Sequence, residues 1–459
     1  MPNQPYTACP ENVISRTFFE WKHLAILGLP ILVTQLSQMA NGVIDTVMAG
    51  HYSAQDLAGV AIGNSFWMPV YLFFVGILGA LQPTISHHRG AQALARIVPV
   101  SWQGLYIAAA SSVLMALVLS RVEPVLVWLR LDAATAVITQ GYLDGFVWGI
   151  PAMLLVAALR GLTDGLGHTR VMMAVSLLSN IINLPLNYVF IYGKLGVPEM
   201  GGIGCGWATA IANGVAALAL LGYLHFSKEL RDFSLLRSIV KPHWREIGAL
   251  LKLGIPIGFT LFFEVSMFTI IALFLAPLGP IVVAGHQLVL NFVSLMFMVP
   301  LSLGMALTLR VSYLIGAGEP QRAQKLAHST LLLALGIALF YVPLLTLGKH
   351  LIASLYTTDP EVQKIAVGLL QLAAIFQIAD VLQVTAISAL RGYRDTRIPM
   401  LIILLSFWGV GMPLGYVLTF TDLLNPAMGA AGFWIGLIAG IASACVLLLV
   451  RLFRYRLIT

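Results

Sequence analysis

Windows of about twenty apolar residues recur along the whole chain, and this pattern leaves few folds open. A hydrocarbon core of roughly 30 Å is crossed by about 20 helical residues. Twelve such windows are present, centred near residues 36, 70, 109, 148, 181, 214, 262, 298, 336, 377, 408 and 441. No stretch outside them is long enough to build a separate soluble domain. Soluble domains carry about 25% charged residues; here only 10% of 459 residues are charged and 59% are hydrophobic. The mean hydropathy is +0.90. The expected fold class is an all-α integral membrane protein with twelve transmembrane helices.

The net charge of +7 does not point to nucleic acid, because the basic residues are sorted by position. With both termini in the cytoplasm, 21 of the 26 Lys and Arg fall on that side, including Arg89, Arg96, Arg160, Arg170, Arg310, Arg322, Lys325, Arg391 and Arg456. The loop between the sixth and seventh windows adds Lys228, Arg231, Arg237, Lys241 and Arg245. The other side holds Arg121, Arg130, Lys194, Lys349 and Lys364. This asymmetry is the positive-inside rule, and it supports an even number of spans. Cys9, Cys205 and Cys445 are far apart and have no metal-type spacing. The first apolar run lacks a basic lead and a cleavage site, so it reads as a retained span. The lipid bilayer of a bacterial inner membrane is the expected setting, and the chain is expected to act as a monomer.

The chain reads as a tandem duplication. Leu27-Gly28-Leu29-Pro30 recurs 226 residues on as Leu253-Gly254-Ile255-Pro256, and Ala58-Gly59 recurs at the same offset as Ala284-Gly285. GALQPTISHHRGAQ (79–92) aligns with MALTLRVSYLIGAG (305–318). Later matches drift slightly: Ala158-Leu159-Arg160-Gly161 answers Ala389-Leu390-Arg391-Gly392, and PLNYV (185–189) answers PLGYV (413–417). Two six-helix lobes follow, at 1–226 and 248–459, joined by the charged linker 227–247. Each lobe has an even number of spans, so the repeat is parallel. A parallel pair of bundles can enclose a cleft and expose it alternately by rocking, which points to a secondary transporter.

Three acids lie at membrane depth. Glu264 is the only formal charge between Lys252 and Arg310, and Asp380 the only one between Lys364 and Arg391; Asp45 lies in the first window. An acid at mid-bilayer costs roughly 2.5–3.5 kcal/mol even on the lenient insertion scale. The repeat does not reproduce these acids: Glu264 falls opposite Gln38, and Asp45 opposite Ile271. Acids specialised to one half read as coupling-ion sites, against the plainer reading of interhelical hydrogen bonding. A buried carboxylate lowers its cost by binding a proton or pairing with a cation. Na⁺ at Glu264 and Asp380 is therefore one expectation and H⁺ the other.

Gln38, Asn183, Asn187 and Asn291 are polar at the same depth and are candidates for the substrate cavity, as are Phe263 and Phe376 for flat organic cations. Ordinary helix packing is the alternative for each. Pro30, Pro151, Pro185, Pro256, Pro300 and Pro413 are candidate kinks. His286 reads as a satisfied packing residue, and Asp359, before Pro360, as a helix cap. There is no phosphate-binding G-x-x-x-x-G-K-[ST] loop, so ATP is not expected as the power source and no cofactor is called for. Nor is there an H-E-x-x-H motif, a nucleophile elbow or a Cys/His cluster, so the chain is not read as an enzyme.

These segments resemble the multidrug and toxic compound extrusion (MATE) family, in its NorM-type branch. The resemblance runs over residues 20–455 and rests on LGLP, VIDTVMAGHYSAQDLAGVAIG (43–63), NLPLNYVFIYGKLGVPEMGGIGCGWATA (183–210), PIGFTLFFEVSMF (256–268), NFVSLMFMVPLSLGMALTLRV (291–311) and ALRGYRDTRIPM (389–400). It implies export of amphipathic organic cations in exchange for Na⁺ or H⁺. It also implies cation binding at Glu264 and Asp380, and a role for Asp45 like that of the first-span acid in the proton-driven branch. Some members carry a tyrosine one turn before the tenth-span acid, where this chain has Phe376. Two other readings are a lipid-linked oligosaccharide flippase of the wider superfamily and a multi-span membrane enzyme. The flippase would need basic residues in the cleft to hold phosphate, and the enzyme a polar cluster at one membrane face.

Overall fold

A computed structural model describes residues 13–455 apart from 123, 125, 127–130, 424 and 425, with side chains described from residue 17. Cys9, Arg130 and Arg456 lie outside the described residues. Among the described residues, twelve helices are long and apolar enough to cross a membrane, and each contains one of the twelve apolar windows. They are α1 (Thr17–Tyr52), α2 (Ala54–Gly90), α3 (Leu94–Leu119), α4 (Ala133–Gly165), α5 (Thr169–Tyr192) and α6 (Ile203–Phe226). The series continues with α7 (Trp244–Leu278), α8 (Pro280–Gly316), α9 (Pro320–Leu347), α10 (Pro360–Gly392), α11 (Arg397–Phe420) and α12 (Ala430–Arg454). No strand occurs among the described residues. Lipid offers no partner for backbone N–H and C=O groups, so a spanning segment satisfies them internally as a helix.

Polar residues start several spans. Ser53 caps α2, its side chain accepting from the Asp56 amide at 2.9 Å. Asp132 caps α4 through the Thr135 amide at 3.0 Å and also accepts from Gln55 Nε2 at 2.9 Å. These bonds, the Thr135 amide foremost, hold the Asp132 carboxyl below the usual carboxylate range. Asp359 caps α10 by accepting from the Glu361 amide at 2.9 Å, as its place before Pro360 suggests. Pro30, Pro151, Pro185, Pro256 and Pro300 lie inside continuous helices. Pro413 follows a π-helical turn, Leu405–Gly411, within α11.

The described residues pack into two compact units. One lies within 29–258; the other lies within 259–455 together with 13–28. In the first, α4 packs on α2, α3 and α6, and α6 on α5; in the second, α10 packs on α8, α9 and α12, and α12 on α11. The same wiring in both units is what a duplication produces. One contact repeats almost atom for atom. A Cβ at Gly59 would lie 2.5 Å from Ile138 Cγ2, and one at Gly285 2.7 Å from Ile365 Cγ2.

The first packing unit includes the charged linker 227–247 and runs on into α7 as far as Gly258. Glycines explain the extension. A Cβ at Gly76 would lie 2.5 Å from Gly258 Cα, and one at Gly258 2.5 Å from the Phe73 carbonyl oxygen. These positions let the backbones of α2 and α7 approach as closely as small residues allow in membrane bundles. The linker is itself strapped to α3. Trp102 Nε1 donates to the Ser238 carbonyl at 2.7 Å, and Tyr106 Oη to the Val240 carbonyl at 2.8 Å.

Candidate functional site

In the first unit, Asp45 projects from α1 into a closed polar ring. It is 5% exposed. Asn187 Nδ2 donates to Asp45 Oδ1 at 2.6 Å, and Thr209 Oγ1 donates to Asp45 Oδ2 at 3.0 Å. Asn187 Nδ2 also donates to Asn183 Oδ1 at 2.9 Å, while Asn183 Nδ2 donates to Thr209 Oγ1 at 3.1 Å. The helical repeat sets this up locally: Asn183 and Asn187 are four residues apart and share one face of α5. Both are fully buried and both serve the carboxylate. A carboxylate at this depth is tolerable because charge-assisted bonds replace its water. The Thr209 hydroxyl can both donate and accept, so the ring has a partner for either protonation state of Asp45. Thr209→Val keeps the shape and removes that partner. It is expected to lower stability by about 1–3 kcal/mol, read as a drop in the melting temperature of the purified protein.

In the second unit, α10 carries the acid. Asp380 is 6% exposed, and the charged group that bears on it electrostatically is another acid, Glu264 of α7, while the neutral Tyr341 and Cys445 also lie within its reach. Glu264 is half-buried and accepts from Gln383 Nε2 at 3.1 Å. Arg391, further along α10, lies within electrostatic reach of Glu264. Two like charges in one low-dielectric region favour a proton or a cation between them. Among the described residues no three His, Cys, Asp or Glu converge on one point. That donor set does not suit a transition metal. Two carboxylates with neutral amide oxygens nearby do suit a hard monovalent cation.

Phe376 is 3% exposed and meets Phe268 and Trp434 edge-on, at centroid distances of 6.5 and 5.9 Å. Phe263 stacks on Phe259 at 5.6 Å, and its carbonyl accepts from Trp408 Nε1, in the π-helical turn of α11, at 3.3 Å. Gln38 and Asn291 are exposed on α1 and α8. The structure thus gathers Asp45 with Asn183 and Asn187, and Glu264 with Asp380. His286 departs from the expectation of a satisfied residue. Its Nδ1 accepts from Trp434 Nε1 at 3.2 Å, but its buried Nε2 has no partner. An apolar groove of about 470 Å³, lined by Trp21, Val299, Leu332, Gly336, Phe340 and Tyr341, has no acid in its lining.

Thr209, Gln383 and two further acids, Glu20 and Asp164, were not singled out in the sequence. Glu20 is buried between Arg310, at 2.8 Å, and Arg322, at 2.5 Å. Arg310, which reads as a flanking charge, is only 3% exposed. Asp164 accepts from Arg160 Nε and from Gln82 Nε2, both at 3.1 Å, and Arg160 Nη2 donates to Gln35 at 2.9 Å. The available signal was a charge of each sign within one span: Arg160 and Asp164 stand four apart on α4.

Known proteins resemble this chain over nearly its whole length. The family model MatE matches the chain twice, over residues 30–189 and 256–417, which are the two halves of the repeat. The chain is 44% identical to a probable multidrug resistance protein NorM of Shewanella oneidensis, covering 95% of each. It is 40% identical to the multidrug resistance protein MdtK of Yersinia pestis, covering 94% of this chain and 95% of that one. Among solved structures, the eukaryotic MATE transporter AtDTX14 superposes with a TM-score of 0.88 at 20% identity, over 96% of this chain and 97% of that one. By family model and by identity over nearly its whole length, the chain belongs to the MATE family of multi-pass membrane transporters.

Proposed function

We propose that this protein is a secondary active exporter that moves amphipathic organic cations out of the bacterial cytoplasm in exchange for inward Na⁺ or H⁺. The observation that carries the reading is the Glu264–Asp380 pair in the second unit: Asp380 is buried on α10, and Glu264 is half-buried and bonded to Gln383, one turn from Asp380 along the same helix. An entering cation neutralises the pair, and alternating exposure of the site to the two sides of the membrane couples that neutralisation to cargo movement. The membrane potential contributes about 2.3 kcal/mol per charge per 100 mV, in the direction of cation entry. Asp45, within its ring of amides and a hydroxyl, serves as a second protonatable site. The names of the relatives support drugs as cargo, and acids at membrane depth favour a positively charged one. The protein sits as a monomer in the inner membrane with both termini cytoplasmic, an orientation supported by the distribution of Lys and Arg.

The test is ethidium efflux from proteoliposomes with a Na⁺ gradient and a pH gradient imposed separately. Efflux driven by either gradient is the expected result and names the ion. Efflux indifferent to both, from folded protein, overturns the proposal.

A further inference from the structure

We infer that Gln377 is the neutral third arm of the cation site, supplying a carbonyl oxygen that suits the site to Na⁺. This rests on the reading of Glu264 and Asp380 as the coupling site. Gln377, Asp380 and Gln383 follow one another at three-residue steps along α10, each about 60° round the helix from the last, so they form a slanting stripe with Asp380 adjoining both amides. The stripe reads amide, acid, amide. The lower amide is engaged, since Gln383 Nε2 donates to Glu264. The upper one is not: Gln377 is fully buried, and neither its Oε1 nor its Nε2 has a hydrogen-bond partner.

A buried side-chain amide with both ends unpartnered is rare in folded proteins and calls for an explanation. Its immediate neighbours do not provide one. Phe376, beside it in the chain, is engaged in ring contacts with Phe268 and Trp434 and carries no oxygen. What lies one turn away is Asp380, an acid whose charged neighbour is a second acid. A hard cation held by the two carboxylates is completed by a neutral oxygen, and the Gln377 carbonyl is the group within one helical turn that has none of its capacity used. A proton shared between the acids needs no such ligand.

The experiment measures Na⁺ itself. Purified wild-type protein is titrated with ²²Na⁺ in a scintillation proximity assay, and its melting temperature is followed in NaCl against choline chloride. The wild type is expected to bind Na⁺ saturably and to melt higher in NaCl, as any ligand that prefers the folded state requires. Gln377→Met, of similar volume, is expected to raise half-saturation about tenfold or more and to lose most of the Na⁺-dependent shift, while its melting temperature in choline chloride changes little. Should Gln377→Met fold poorly, Gln377→Asn, which withdraws the carbonyl by one methylene, is expected to weaken Na⁺ in the same way.

Unchanged half-saturation in a folded variant would mean that water satisfies the amide, and would overturn the inference. Absence of saturable Na⁺ binding in the wild type would overturn it too. In that case efflux driven by a pH gradient and lost in Glu264→Gln would leave the exporter reading standing. Efflux insensitive to Glu264→Gln and Asp380→Asn would remove both.

Discussion

Glu264→Gln and Asp380→Asn are each expected to reduce gradient-driven efflux to the leak of protein-free liposomes, with insertion and yield preserved. Both substitutions keep shape and remove charge. An amide at either position can neither release a proton nor neutralise a cation, so the driving ion loses its preferential hold on one state of the transporter. The stability of the variants separates this from a folding defect. Replacing one of two neighbouring acids by an amide relieves repulsion, so neither variant should melt below the wild type by more than a small margin. Cargo binding measured at equilibrium adds a second contrast. If the acids also meet the cationic cargo, its affinity falls in the same variants; if they handle only the ion, affinity holds while coupling is lost. Wild-type rates in both variants would show that the pair is structural.

The largest stability effect is expected at Glu20. Its carboxylate lies between Arg310 and Arg322, with Glu20 and Arg310 both almost fully enclosed. Glu20→Gln leaves the Arg310 guanidinium buried without its counter-charge, and removing one partner of such a pair costs about 3–5 kcal/mol. The purified variant should show a large drop in melting temperature. The double variant Glu20→Met/Arg310→Met should recover much of the loss, because two well-packed apolar side chains often replace a buried ion pair at little cost. A single variant as stable as the wild type would show that water reaches the pair. The location gives this ion pair its structural weight: it fastens the start of α1 within the second unit, while the rest of α1 from Leu29 packs in the first.

The parts of this account that were legible in the sequence are those fixed by lipid. Twelve apolar windows became twelve helices because a backbone in hydrocarbon has no other partner, and their centres needed no tertiary information. Glu264, Asp380 and Asp45 stood out because a charge at that depth is costly wherever the chain folds. Asp359 was legible because a cap is a local event, settled within a turn. Partners were not legible. Thr209 meets Asp45 from 164 residues away and Gln383 meets Glu264 from 119, and hydropathy carries no information about such pairings.

Charges near span ends were misleading for a related reason. Arg310 falls where the positive-inside rule expects a flanking residue, yet α8 continues to Gly316 and turns it inward to Glu20. The close approach of α7 to α2 was hidden likewise, because it rests on Gly76 and on Gly254 and Gly258, which are distant from it in the chain. His286 shows the opposite limit: a polar residue in a span reads as satisfied until the second ring nitrogen is accounted for.

The most direct test of coupled exchange is the reverse flux. Proteoliposomes are given a gradient of an organic cation alone, with entrapped pyranine reporting protons and ²²Na⁺ reporting sodium. Movement of the organic cation should drive one of the two ions in the opposite direction, and Asp380→Asn should abolish that counterflow. Passage of the organic cation with neither ion moving against it would contradict the account.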